Sequence, residues 1–205
     1  MVVGELSRLR RLGERLLVIA ASEDPDFLRP EPIALDLFTM DVIRRWRPTA
    51  PRQWRIGRLD PVTISADRER LGLAVDALLE NAVRHTASGD VIKLSVVAVG
   101  YGLPVRMIVK DTGQGIPAEL LQHVFDRFRS GDGGPARGTG LGLALVRAVA
   151  RAHGGDVLVN SSPGQGSEFE LLLPAPSGTL ALPPAPASAK LAEADTADGR
   201  LARKP

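Results

Sequence analysis

The chain has 205 residues, of which 44% are hydrophobic and 24% charged, as is ordinary for a soluble globular protein. Its formal net charge of +2 is too small to indicate nucleic-acid binding, so we expect no nucleic-acid partner. Because the chain has no cysteine, disulfides, thiolate metal sites and cysteine nucleophiles are excluded. Its longest apolar runs fall far short of the ~20 residues that span a bilayer, and the N-terminus lacks a secretory signal. We therefore expect a cytoplasmic location and no direct membrane span.

The first segment predicts an amphipathic helix from about residue 5 to residue 21. Its apolar residues are spaced mostly three and four apart, at Val2, Leu9, Leu12, Leu16 and Ile19. Such a seam packs either on the helix's own domain or on a helix outside it, as in a dimer. The polar segment that follows, around Pro25, ends the helix.

The remaining chain shows strand and helix signals in turn. Strands are expected at 33–36, 53–59, 62–65, 91–99, 105–110, 156–160 and 168–173. Helices are expected at 37–46, 68–85, 117–124 and 141–153, with Asp67 as the N-cap of the second. After Pro174 the composition turns to Pro, Ala, Ser and scattered charge, which predicts a disordered tail. The expected division is a dimerisation-type helix at 1–22, a linker at 23–32, a main domain at 33–173 and a tail at 174–205.

Three polar side chains share one face of the helix expected at 68–85. Asn81, Arg84 and His85 stand at i, i+3 and i+4, and the apolar residues lie mostly on the opposite side. An amide oxygen, a guanidinium and an imidazole together suit Mg²⁺ and phosphate. A polar stripe of this kind is also typical of ordinary solvated surface, so this face alone does not decide.

Two glycine-rich stretches, Asp111–Pro117 and Gly138–Leu143, carry most of the remaining information. Ordering glycine is costly, so such density indicates close backbone approach to a ligand. An aspartate directly after an apolar strand can accept hydrogen bonds from an exocyclic amine. The second stretch runs into an apolar helix, whose free N–H groups and dipole suit a polyphosphate.

The order of these pieces resembles the ATP-binding catalytic domain of sensor histidine kinases. That domain belongs to the superfamily of gyrase, the ninety-kilodalton heat-shock chaperone and MutL. The resemblance covers about residues 30 to 173. It rests on Leu79–Thr86 as the asparagine box, Asp111–Pro117, Val124–Phe128 as the phenylalanine box, Gly138–Leu143 and Gly164–Phe169. The phenylalanine box and the ending Ala152-His153-Gly154-Gly155 favour the kinase branch.

The resemblance implies an α/β two-layer sandwich, the Bergerat fold, with a mixed, mostly antiparallel sheet and three helices on one face. It implies that Asn81 coordinates Mg²⁺, that Arg84 and His85 lie near the phosphates of ATP, and that Asp111 binds the adenine amine. Gly113 and Gly115 would leave room beside the base. The further nucleotide-binding candidates are Ile116, Phe128, Gly138, Thr139, Gly140, Leu141, Gly142 and Ser167. The glycines among them that follow residue 137 would shape a lid over the phosphates.

Further arginines are candidates within the same resemblance. Arg84 and Arg127 are the catalytic candidates, and Arg129 and Arg137 could also serve the γ-phosphate or a partner. Arg127, Arg129 and Arg137 are each about as readily explained as solvated surface charge. Phe125 and Phe128 could equally be core residues. The segment 129–137 is expected to form a mobile lid.

Two departures from the family pattern limit the expected activity. Ala77 stands where hydrolytic relatives carry a water-activating glutamate, so fast ATP hydrolysis has no obvious general base. Only three histidines occur, His85, His123 and His153, all within the expected catalytic domain. None stands on the first helix, which resembles only the second helix of a phosphoacceptor hairpin.

We therefore expect an ATP-dependent protein histidine kinase component of a two-component system. It would donate the γ-phosphoryl group to a histidine on another chain or on a missing segment, and serve a response regulator indirectly. Two alternatives stay open. One is a serine kinase of the anti-sigma-factor type, and the other is a nucleotide-binding interaction module without catalysis.

Overall fold

The computed structural model describes residues 2–100, 102–128 and 139–175, with side chains from residue 9 onward. The helices of this part are α1 (Val2–Ala21), α2 (Leu35–Trp46), α3 (Arg68–Arg84), α4 (Ala118–Leu121) and α5 (Gly142–Ala152). The strands are β1 (Glu31–Ala34), β2 (Gln53–Leu59), β3 (Thr63–Ala66), β4 (Val91–Ala98), β5 (Val105–Asp111), β6 (Asp156–Ser161) and β7 (Ser167–Leu173). The expected lid at 129–137, Gly138 and the tail from 176 onward lie outside the described residues.

Five of the strands form one mixed sheet in the order β2-β4-β5-β7-β6. Only β2 and β4 are parallel, and the other neighbours in this sheet are antiparallel. β1 and β3 form a separate antiparallel pair. The expectation of a mixed, mostly antiparallel sheet is confirmed.

Alternation along β5 separates a buried face of the sheet from a solvated one. Val105, Met107 and Val109 are buried, and so are their partners on β7. On β4, the partners Val96 and Leu94 are buried and Ala98 is partly buried. On the opposite face, Arg106 and Lys110 form ion pairs with Glu170 and Glu168 of β7. Since successive strand residues point to opposite faces, Asp111 at the end of β5 continues the buried series.

The buried face of the sheet is covered by α2, α3 and α5, which contact β4, β5 and the β6–β7 pair respectively. α3 and α5 pack against each other and run antiparallel. Nε2 of His153, just after α5, accepts a hydrogen bond of 3.0 Å from the backbone N–H of Asp67, the N-cap of α3. The start of α5 therefore lies alongside the second half of α3.

α1 packs on α5 rather than extending away from the domain. Val18 and Ile19 are buried, and Leu16 is partly buried against the same core. Leu9 and Leu17 are 56% and 72% exposed. One side of the helix thus packs on its own domain, and the other side presents leucine to solvent.

Four elements differ from the sequence expectation by more than one residue: β1, α2, α4 and α1. The strand expected at 33–36 is wrong, because β1 ends at Ala34 and Leu35 begins α2. Asp36 then lies in the first turn of α2, where a carboxylate complements the positive end of the helix dipole. The helix expected at 117–124 is only α4, since turns from Leu120 to His123 and from His123 to Asp126 replace helical bonds. α1 begins at Val2 rather than near residue 5.

Candidate functional site

Asp111 is a buried hydrogen-bond acceptor at the centre of the site. Its side chain is 2% exposed. Oδ1 accepts from the backbone N–H of Gly113 at 2.8 Å and from that of Ser167 at 3.3 Å. No hydrogen bond among the described residues engages Oδ2. Burial raises the pKa of Asp111, the two N–H groups oppose this rise, and the negative charge of Asp90 adds to it. The site thus holds one fixed carboxylate oxygen and one uncommitted oxygen.

Beside Asp111, glycine is required at positions that include 113 and 115, because other backbone segments approach closely. A Cβ on Gly113 would lie 2.0 Å from the carbonyl oxygen of His85. Gly115 has φ +71°, and a Cβ there would lie 2.0 Å from the carbonyl oxygen of Ser162. The space at these two glycines is therefore filled by protein backbone. This close packing is sufficient to explain why glycine occupies both positions. The sequence had suggested a different reason, room for a flat base.

The end of α3 is joined directly to the first glycine stretch. The carbonyl oxygen of His85 accepts from the backbone N–H of Gln114 at 3.1 Å, and Gln114 Nε2 donates to His85 Nδ1 at 2.7 Å. Burial lowers the pKa of His85, and the adjacent positive charge of Arg84 lowers it further. A neutral His85 keeps Nδ1 as an acceptor for this bond.

Asn81 and Arg84 stand on the same part of α3 with uncommitted polar groups. Asn81 is half-buried and Arg84 is exposed. None of the hydrogen bonds or ion pairs within the described part of the chain involves the side chain of either residue. The amide of Asn81 and the guanidinium of Arg84 are therefore available for a ligand.

The closing hairpin of β6 and β7 supports the same region through Ser161. Its hydroxyl accepts from the backbone N–H of Ile116 at 2.8 Å and donates to the carbonyl oxygen of Gly166 at 2.7 Å. Ser161 also lies 3.2 Å from the Ser167 hydroxyl. Sequence reasoning selected Ile116 and Ser167 but missed Ser161. No local signal could have found it, because its partner at Ile116 is 45 residues away in sequence.

The start of α5 lies next to the Asn81 turn of α3. Arg15 of α1 forms an ion pair with Glu80, and its Nη1 lies 4.0 Å from the Cβ position of Gly142. Leu141, the N-cap of α5, is fully buried and supplies no side-chain cap. The first N–H groups of a helix lack partners within the helix and attract anions.

The phenylalanine segment reaches the second glycine stretch at one point. The backbone N–H of Phe128 donates to the carbonyl oxygen of Gly140 at 2.9 Å, and Phe128 has φ +63° with its side chain 67% exposed. The hydroxyl of Thr139 is buried without a hydrogen-bond partner among the described residues. Arg127 is exposed, and no hydrogen bond or ion pair among the described residues joins it to Asp111.

Phe125 belongs to the core, in contrast to Phe128. Its ring packs edge-on against Phe169 with centroids 6.4 Å apart, and the guanidinium of Arg147 lies 5.7 Å from its centroid. The core alternative that the sequence left open therefore holds for Phe125 only.

The site combines four kinds of functional group next to α3 and α5. A buried carboxylate offers an acceptor, a helix start offers N–H donors, and α3 offers an amide and a guanidinium. Among the described residues, no group of three or more His, Asp or Glu side chains could hold a metal ion by itself. Such a set suits a nucleotide that brings its own phosphate oxygens to a cation.

The mixed sheet and its antiparallel α3 and α5 layer define a two-layer ATP-binding domain. The family of histidine kinase-, DNA gyrase B-, and HSP90-like ATPases matches residues 66–177, and the chain belongs to this family. It is a catalytic domain of the sensor histidine kinase type. A probable sensor histidine kinase of Mycobacterium tuberculosis, TcrY, is 36% identical over 178 residues, covering 84% of this chain and 37% of that protein.

Two of the solved structures that share the fold are 29% identical to this chain. Full-length ShkA, in complex with AMPPNP, is 29% identical with a TM-score of 0.69, covering 82% of this chain and 37% of that one. The ATP-binding domain of PrrB from Mycobacterium tuberculosis is also 29% identical, with a TM-score of 0.59, and the match covers 72% of this chain and 98% of that domain. The chain spans about a third of the length of TcrY and ShkA. No helix in the described ranges is long and apolar enough to cross a membrane.

Proposed function

We propose that this domain binds Mg-ATP and donates the γ-phosphoryl group to a histidine on a helical hairpin. That hairpin would belong to another chain or to a further segment of the same protein. The observation that carries the proposal is Asp111, whose Oδ1 is fixed by two backbone N–H groups while Oδ2 accepts no hydrogen bond within the described ranges. An exocyclic amine of adenine can donate to this oxygen. The ATP analogue in the ShkA complex supports a nucleotide in the corresponding domain.

The phosphates would lie between α3 and the start of α5. Asn81 would contribute its amide oxygen to Mg²⁺, which shields the phosphate charge and is held mainly by phosphate oxygens and water. Arg84 and His85 would face the phosphate chain, and the N–H groups at Gly140 to Gly142 would bind its oxygens. Thr139, whose hydroxyl has no hydrogen-bond partner among the described residues, would donate there too.

Phosphoryl transfer to an imidazole fits the surroundings of Asn81 better than hydrolysis does. Ala77, one turn earlier on α3, is buried and has no carboxylate. Asp76 accepts from Arg45 and from Trp46 Nε1, and Glu80 is paired with Arg15. No carboxylate on this turn is free to activate water.

In the proposed reaction, a ring nitrogen of the acceptor histidine forms a bond to the γ-phosphorus. The bond between that phosphorus and the β–γ bridging oxygen breaks, and ADP leaves. The ring proton of the attacked imidazole passes to solvent. Because the domain supplies no covalent intermediate, its contribution is alignment and electrostatic stabilisation. Arg84 and Arg127 are the side chains proposed to stabilise the transferring group.

The proposal extends to partners and location. The phosphohistidine would serve a response regulator, and since ATP is the donor, the domain would work in the cytoplasm. The exposed Leu9 and Leu17 of α1 are proposed to face a second helix, in a dimer or a hairpin.

The test combines labelled ATP with the purified chain and a candidate hairpin protein. We expect acid-labile, alkali-stable label on a hairpin histidine, and loss of nucleotide affinity of at least about tenfold in Asp111→Asn. The matched control is Asp41→Asn, which removes an exposed carboxylate on α2 that pairs with Arg44. Acid-stable label on serine would instead identify the anti-sigma-factor type. Tight binding without transfer would identify a non-catalytic module, and unchanged affinity in Asp111→Asn would refute the site.

A further inference from the structure

A guanidinium from outside the predicted motifs holds the last turn of α3. Arg52 precedes β2, and its Nη2 donates to the carbonyl oxygens of Val83 at 3.2 Å and Thr86 at 2.9 Å. Its Nε donates to the Thr86 hydroxyl at 2.8 Å. The Thr86 hydroxyl in turn donates to the carbonyl oxygen of Ala82 at 2.7 Å. The final carbonyls of a helix lack partners within the helix, so Arg52 supplies a cationic cap at the negative end of α3.

The segment around Arg52 also fixes the loop that follows α3. The carbonyl oxygen of Pro51 accepts from the backbone N–H of Gly89 at 3.1 Å, and the backbone N–H of Gln53 donates to the carbonyl oxygen of Asp90 at 2.7 Å. These bonds place the guanidinium beneath the end of the helix. The last turn of α3 is therefore held from two sides, by this segment and by the first glycine stretch.

The turn that Arg52 holds is the turn that carries the proposed phosphate contacts. Arg84 and His85 lie within it, and the His85 carbonyl accepts from Gln114. The carbonyl of Gln114 then accepts from the N–H of Gly164 at 2.7 Å. A chain of hydrogen bonds thus runs from Arg52 through α3 to both sides of the Asp111 pocket. Gly113 fits against the His85 carbonyl so closely that a shift of this turn also displaces the pocket.

We propose that Arg52 is a positioning residue for nucleotide binding. It sets the place of Arg84 and His85 relative to Asp111, and it does so through α3 rather than by contact with the ligand. This role rests on the proposed function of the site. Arg52 donates three hydrogen bonds to α3 and the residue after its cap, so its guanidinium is committed to protein. It also offsets the negative pole of α3 next to a site for an anion.

The test compares Arg52→Gln with Arg55→Gln in the same purified chain. Arg55 is an exposed neighbour in β2, and in the described part of the chain its guanidinium donates only to Gln53 Oε1. Both variants lose one positive charge. We expect Arg52→Gln to weaken Mg-ADP binding about tenfold, since bonds from a charged donor are lost. Arg55→Gln should bind as the wild type does. Arg52→Lys, which retains the charge and one donor direction, should recover part of the affinity.

A second control separates positioning from general loss of stability. Ile33→Val truncates a fully buried side chain in the β1–β3 pair, remote from the site. It should lower the urea midpoint while leaving the Mg-ADP dissociation constant unchanged. If Ile33→Val weakened binding as much as Arg52→Gln, or if Arg52→Gln bound like the wild type, the positioning role would be wrong.

Hydrogen exchange at the Gln114 amide gives a readout that needs no nucleotide. We expect faster exchange there in Arg52→Gln than in Arg55→Gln, because the His85 acceptor has moved. Equal exchange in the two variants would overturn the proposal. If the wild-type chain bound no Mg-ADP, the proposed function would fail, and the exchange comparison would still decide whether Arg52 positions the pocket.

Discussion

The imidazole of His153 joins the end of α5 to the start of α3 by accepting the backbone N–H of Asp67 at 3.0 Å. Because Nε2 accepts, Nδ1 carries the proton and donates to the carbonyl oxygen of Val149 at 2.8 Å. The carboxylate of Asp67 accepts from the backbone N–H groups of Arg70 and Arg29, so it is committed elsewhere. One buried side chain thus fixes the antiparallel arrangement of the two helices that flank the site.

His153→Ala should lower the free energy of unfolding by about 2 to 3 kcal/mol, because it leaves the buried N–H of Asp67 without a partner and opens a cavity. Urea unfolding followed by circular dichroism measures this loss. The matched control is His123→Ala, which removes an exposed histidine paired with Asp126 and should change stability by less than about 0.5 kcal/mol. Equal losses in the two variants would contradict the assigned role.

Gly113→Ala should destabilise the fold by at least about 2 kcal/mol, because its Cβ would clash with the backbone carbonyl of His85. Gly72→Ala is the control: it lies within α3, and a Cβ there meets no atom within 4 Å. That change should stabilise the protein by about 0.5 to 1 kcal/mol through helix propensity. Thermal unfolding of both variants gives the comparison, and a tolerated Gly113→Ala would refute the close approach.

The pH dependence of stability should contain a contribution from His85. Its pKa is lowered from 6.5 by burial and then by Arg84, so the unfolded chain binds the proton more tightly than the folded protein does. Stability contributed by the neutral ring is therefore full above 6.5 and is lost as the pH falls toward the lowered pKa. In His85→Gln, urea unfolding between about pH 5.5 and about pH 7.5 should show a shallower decline. His123 and His153 remain in both proteins, so an unchanged slope would exclude His85 as its source.

The ion pair between Arg15 of α1 and Glu80 of α3 should stabilise the fold more than the exposed pair of Arg10 and Glu14 within α1 does. Their side chains are 18% and 31% exposed, whereas those of Arg10 and Glu14 are 81% and 56% exposed. Double-mutant cycles with Arg15→Gln and Glu80→Gln should give a coupling energy of about 1 kcal/mol. The Arg10–Glu14 cycle should give about 0.3 kcal/mol. Equal coupling in both cycles would show that α1 is not held at the nucleotide face by this pair.

Local sequence signals predicted most of the elements that position the site. The bounds of β2 agree with the expectation. The start of α3 was also predicted correctly, because its N-cap Asp67 and its apolar spacing are local features, and the helix ends one residue earlier than predicted. The boundary at Leu35 was missed because the residues on either side suit a strand as well as a helix. At this boundary, the packing of the side chains against the rest of the domain decides between strand and helix.

The supporting contacts of the site could not be predicted in this way. Arg52 and its acceptor Val83 are 31 residues apart, and Arg15 and Glu80 are 65 apart. A single sequence gives the residue types for such pairs but not their distances. The glycines were recognised by position in a motif, yet the reason for Gly113 is a carbonyl from a different element.

The partners of Asp111 set the order in which a growing chain can acquire the pocket. Gly113 is supplied by the adjacent turn, whereas Ser167 belongs to β7, which pairs with β5 only after β6 has been made. During translation, the Asp111 carboxylate therefore lacks its second hydrogen bond until the hairpin of β6 and β7 has left the ribosome. Nucleotide capture by nascent chains of increasing length should begin only once β7 is free to add to the sheet, so ligand binding reports the final step of assembly.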